Sequence, residues 1–171
     1  IIKELKPYIP AADSFRIYEK EAGCAFLDSS LVNDLGRYSI IGRAPYLKLV
    51  KDGDAFTVNG KPETGKTFED YMREYLNTHE DKNECPLPIV SGAIGYFSYD
   101  YGREQMGVPT GEKDLVTIPE AVLTFYDCFI VEDCREKRTY LVTNGITGNA
   151  PELIRSMEKE IQENVKFGKI S

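Results

Sequence analysis

An α+β fold, with one or more antiparallel sheets and flanking helices, is predicted by three features of this 171-residue chain. Short apolar runs recur between turn residues, as in hairpins. Three other stretches repeat their apolar residues at helical spacing. Runs of hairpins punctuated by helices, rather than a regular strand–helix alternation, speak against a doubly wound parallel sheet.

The elements follow in order. Pro10 to Ala22 reads as a helix, with Ala11, Phe15, Tyr18 and Ala22 on one face. Ala25-Phe26-Leu27 reads as a short buried strand that ends in Asp28-Ser29-Ser30. Tyr38 to Gly42 and Tyr46 to Val50 read as two strands. Asp52-Gly53 suits a two-residue type I′ turn, with Ala55 to Val58 returning. Thr67 opens a helix whose Phe68, Tyr71, Met72, Tyr75 and Leu76 share a face. Thr67 to Asp70 has capping-box spacing, with Asp in the last place. Cys85-Pro86-Leu87-Pro88 breaks the chain, Val90 to Tyr99 reads as a glycine-interrupted strand, and Met106 to Thr117 as a polar loop. Ala121 to Glu132 and Thr139 to Thr143 form an antiparallel pair joined by the charged turn Asp133 to Lys137. Pro151 starts a last helix, with Ile154, Met157, Ile161 and Val165 inward.

Composition narrows the function. Hydrophobic residues make up 42% and charged residues 29%, a globular balance that suits one domain with a real core. The formal charge is −7 and no Lys/Arg cluster stands out, so nucleic-acid binding has little electrostatic support. No apolar run approaches the roughly 18 residues of a membrane span. Ile1-Ile2-Lys3-Glu4 does not read as a signal peptide, and without an initiator Met the sequence reads as a trimmed stretch. Cys24, Cys85, Cys128 and Cys134 are scattered and the chain has one His, so no metal site is expected. Free thiols in a reducing cytoplasm are the expectation.

Gly60-Lys61-Pro62-Glu63-Thr64-Gly65-Lys66-Thr67 satisfies the P-loop pattern, in which backbone N–H groups cradle phosphates, the Lys reaches the outer phosphates and the hydroxyl holds Mg²⁺. Gly60, Gly65, Lys66 and Thr67 are therefore nucleotide-binding candidates. The strand before them argues against it, being short, alternating and the second arm of a hairpin. A polar connector whose Thr67 caps the next helix is the favoured reading. His79 has no partner in sequence, and no Ser-His-Asp arrangement is visible.

Three segments resemble the N-terminal region of the anthranilate synthase and aminodeoxychorismate synthase component I family. The first is Phe26 to Ser30 followed by Gly36-Arg37-Tyr38-Ser39-Ile40-Ile41-Gly42-Arg43-Ala44-Pro45. The second is Gly92-Ala93-Ile94-Gly95-Tyr96-Phe97-Ser98-Tyr99-Asp100-Tyr101-Gly102-Arg103. The third runs from Pro119-Glu120-Ala121 through Phe125-Tyr126-Asp127 to Val131-Glu132-Asp133, with Cys134 where the family often has His. The wording at Tyr99 to Arg103 and Phe125 to Asp127 leans toward the aminodeoxychorismate branch.

The resemblance implies an enzyme that aminates chorismate with ammonia from a glutamine amidotransferase subunit, using Mg²⁺. One branch serves folate biosynthesis through p-aminobenzoate, the other tryptophan biosynthesis. It also implies that residues 1–171 form the N-terminal structural and regulatory domain. The catalytic residues and Mg²⁺ carboxylates would lie in a C-terminal chorismate-binding region that is expected to be absent here. No catalytic residue carries over, and the chain alone is expected to be inactive and without a cofactor of its own. One site does carry over in part, the edge of a tryptophan pocket at Asp28, Ser29, Arg37, Tyr38 and Ser39. Asp28 is one carbon shorter than the family's common Glu. A domain separated from its sheet partner is expected to expose apolar surface and self-associate.

Overall fold

The computed structural model describes residues 1–28, 36–79, 85–98 and 119–166, and for 165 and 166 the backbone only. Among the described residues there are eight strands: β1 (Ile2–Leu5), β2 (Ala25–Leu27), β3 (Tyr38–Asp52), β4 (Ala55–Val58), β5 (Lys61–Pro62), β6 (Gly92–Phe97), β7 (Ala121–Asp133) and β8 (Arg138–Thr143). The described helices are α1 (Ala11–Tyr18), α2 (Phe68–Thr78) and α3 (Ala150–Lys166). The strand order is β1-β8-β7-β3-β4-β5, with β2 on β3 and β6 on β7. β1 pairs with β8, β8 with β7, β2 with β3, β3 with β4 and β4 with β5, all antiparallel. This is the α+β architecture expected from the sequence.

The chain divides into two compact units, and the long strands β3 and β7 each contribute to both. The first unit contains β1, α1, β2, β8, α3, the start of β3 and the end of β7. Its core joins Leu5, Ile41, Cys128, Ile130 and Leu141 of the strands to Tyr18 of α1 and to Ile154, Met157 and Ile161 of α3. Each fully buried aliphatic side chain contributes about 1.5–3 kcal/mol. β7 is buried along nearly its whole length, so both of its faces are covered. Its sequence therefore does not alternate apolar with polar, although Thr124 and Asp127 interrupt the apolar run.

α1 has Pro10 at its N-cap and no side-chain cap of its own. Glu132 of β7 supplies the missing acceptor: its Oε1 receives the Ala11 N–H at 2.8 Å, and its other oxygen receives the Tyr8 hydroxyl. A carboxylate at a helix N-terminus is favoured by the exposed N–H groups and the helix dipole. α1 stops at Tyr18, short of the expected Ala22. The Glu21 N–H closes a tight turn on the Tyr18 carbonyl, and Gly23 leaves at φ +80. At the other end of the chain, Asn149 Oδ1 accepts the Glu152 N–H at 3.2 Å and caps α3.

The two strands expected at Tyr38–Gly42 and Tyr46–Val50 are one, β3. The strand is irregular between the two expected pieces, where Ala44 takes a left-handed φ of +53 and Pro45 has no N–H. The irregularity is accommodated because Glu21 accepts from both the Ala44 N–H and the Arg43 guanidinium. β1 and β5 were not foreseen, being a charged four-residue strand and a two-residue strand.

In the second unit, β3 and β4 meet through Gly53 and Asp54, since Asp52 is paired with Ala55. The turn lies one residue later than expected. Gly53 at φ +60 is its only residue with positive φ, which fits type II′ and not the expected type I′. α2 begins where Thr67 accepts the Asp70 N–H at 3.2 Å. Phe68 packs edge-on against Phe56 of β4 and Phe97 of β6. Lys51 of β3 is nearly buried between Glu69, at 3.7 Å, and Glu120, at 3.5 Å.

Candidate functional site

Asp28, Arg37, Tyr38 and Ser39, the described residues among those expected to edge a ligand pocket, lie where β3 begins and β7 ends, in the first unit. Arg37 precedes β3 and grips Asp133 with two guanidinium nitrogens, Nε at 3.0 Å and Nη2 at 2.6 Å. Its guanidinium also stands 5.2 Å from the centre of the Tyr38 ring. Asp133 is almost buried and additionally accepts the N–H groups of Arg135 and Glu136, which shapes the β7–β8 turn. The bond to Arg37, with help from these N–H groups, holds the Asp133 carboxyl below the usual carboxylate range against the opposing effect of burial.

Two residues along the strand, Ser39 is 2% exposed, and its hydroxyl lies 3.1 Å from Asp28 Oδ1 and 3.5 Å from Cys134 Sγ. Burial pushes the Cys134 thiol up, with hydrogen bonds to Ser39 opposing. The Cys134 N–H in turn donates to the Arg37 carbonyl. The structure thus brings Asp28 and Ser39 together, and Arg37 with Tyr38. These pairs form two adjacent clusters, Arg37 held by Asp133 and Ser39 lying between Asp28 and Cys134. Ser29 lies outside the described residues.

Arg37 and Tyr38 line a cavity of about 270 Å³ together with Leu87, Arg138 and Tyr140. Arg138 reaches toward Glu4 at 3.9 Å. The cavity walls therefore combine aromatic and aliphatic surface with cations that already have carboxylate neighbours. Asp133, Leu87, Arg138 and Tyr140 were not foreseen. They come from two stretches of sequence: the β7–β8 hairpin, where Asp133 stands opposite Arg138, and the segment at Leu87, which belongs to no strand.

The P-loop pattern is divided between two local structures. Asn59 at φ +52 and Gly60 at φ +80 form the two-residue turn between the antiparallel strands β4 and β5. Gly65 donates its N–H to Glu63 Oε1, Lys66 pairs with Glu74, and Thr67 caps α2. The strand ahead of the pattern is a hairpin arm, and the Lys66 ammonium and Thr67 hydroxyl are both engaged in local contacts. His79, at the C-terminus of α2, stacks on Tyr75 at 4.0 Å. Among the described residues, no group of three or more His, Cys, Asp or Glu is placed to hold a metal ion.

The motifs that carried the family resemblance act as structural joints. A Cβ on Gly42 would stand 2.8 Å from the Tyr126 ring, whose hydroxyl donates to the Gly23 carbonyl at 2.6 Å. A Cβ on Gly95 would stand 1.9 Å from the Val122 carbonyl oxygen, so only glycine fits between β6 and β7. Arg43 lies 3.8 Å from the centre of the Tyr18 ring and pairs with Glu21. Asp127 is fully buried and accepts from the Thr147 N–H, the Thr147 hydroxyl and the Asn144 N–H. Burial acts to raise its pKa, but these hydrogen bonds prevail and hold it below the ordinary range. Tyr99 to Arg103, which carried the aminodeoxychorismate wording, lies outside the described residues.

No family model matches the chain. It is 26% identical over 167 residues to anthranilate synthase component 1 of Acetivibrio thermocellus, an alignment that covers 86% of this chain and 33% of that protein. It is 31% identical over 122 residues to the chloroplastic anthranilate synthase alpha subunit 2 of Arabidopsis thaliana, covering 64% of this chain and 20% of that protein. Its fold matches anthranilate synthase component I of Streptococcus pneumoniae with a TM-score of 0.61 at 18% identity, over 92% of this chain and 34% of the other. The chain spans a fifth to a third of the length of these relatives. It is thus related in sequence to the anthranilate synthase component I proteins, and it shares its fold with part of one.

Proposed function

We propose that the chain is the non-catalytic N-terminal portion of an anthranilate synthase component I. The observation that carries this reading is the sequence relationship to anthranilate synthases from a bacterium and a plant, across up to 86% of the chain. These relatives favour the anthranilate branch over the aminodeoxychorismate branch toward which the motif wording leaned. On this reading the whole enzyme aminates chorismate and releases pyruvate. Its ammonia comes from a glutamine amidotransferase partner, and its Mg²⁺ site lies on polypeptide outside these 171 residues. The described side chains support a structural role, because the motif residues are occupied in packing. A cytoplasmic location is part of the proposal. No described helix is long and apolar enough to cross a membrane.

The cluster at Asp28, Ser39, Arg37 and Tyr38 is proposed as one wall of a tryptophan site, to which the sequence resemblance adds Ser29. Asp28 is exposed at the end of β2 and carries the charge an ammonium group would meet, while buried Ser39 holds its carboxylate. Arg37 already serves Asp133, so its part is to fix the strand end and not to bind a free anion.

The test is a chimera. The matching third of the Acetivibrio thermocellus protein is replaced by this chain, and the product formed from chorismate, ammonium and Mg²⁺ is identified. Anthranilate is the expected product. A folded chimera that forms no anthranilate, beside a parent protein that does, would count against this reading.

A further inference from the structure

We draw no further inference here: the strongest candidate, the cavity of about 270 Å³ walled by Arg37, Tyr38, Leu87, Arg138 and Tyr140, belongs to the site already described, and its two arginines already face Asp133 and Glu4.

Discussion

α3 and α2 carry similar apolar periodicity, yet they are buried very differently. In α3, Ile154, Met157 and Ile161 are at most 4% exposed and enter the main core. In α2, Phe68 is 1% exposed, but Leu76 on the same expected face is 49% exposed, and Tyr71, Met72 and Tyr75 are only partly covered. A repeat at helical spacing shows that a helix has an apolar face. What covers that face depends on the rest of the fold. The first unit supplies β8 and α1 for α3, with side chains of β1 and β7 in the same core. In the second unit, Phe68 meets β4 and β6 while the C-terminal half of α2 stays more open.

Gly95→Val should have the largest effect. The new side chain would collide with the Val122 backbone, which cannot move without breaking the β6–β7 contact. The expected result is loss of cooperative urea unfolding for the second unit. A variant with wild-type unfolding would show that β6 does not approach β7 so closely.

Ile161→Ala should cost about 2–5 kcal/mol, because it opens a cavity in a covered core. Leu76→Ala should stay within about 0.5 kcal/mol, as for a surface change. Urea midpoints measured side by side test the contrast. Equal losses would mean that α2 is packed as tightly as α3.

Acid should act first on the covered unit. Asp127 and Asp133 both have depressed pKa values in the folded chain. Their stabilisation is complete above the unfolded aspartate value of about 4 and is lost as pH falls below it. Stability should therefore be flat between pH 7 and 5 and decline below about 4. Thr147→Val removes one donor to Asp127. It should cost about 1–3 kcal/mol at neutral pH and make the acid decline shallower. An unchanged acid profile would remove Asp127 from this account.

Much of the fold was legible because local chemistry agreed with it. The Thr67 cap, the β7–β8 pair and the inward residues Ile154, Met157 and Ile161 need little more than periodicity and turn residues. The misses arose where tertiary contacts decide. Glu21 sustains β3 through Ala44, and Glu132 caps a helix more than a hundred residues before it in sequence. Neither contact leaves a pattern in its own neighbourhood. The site was legible only in part. Asp28 and Ser39 could be named from the family resemblance, but the bond between them could not. Asp133, which engages Arg37, sits in a charged turn that looks solvent-facing in sequence. The most complete motif match, Gly60 to Thr67, resolved into a hairpin turn and a helix cap.

The central claim is that these 171 residues carry no chorismate chemistry of their own. The direct measurement is anthranilate fluorescence from the isolated chain with chorismate, ammonium and Mg²⁺. No product above the protein-free control is the expected result. Turnover that scales with chain concentration and survives repurification would contradict it, and would place acid–base residues within this chain.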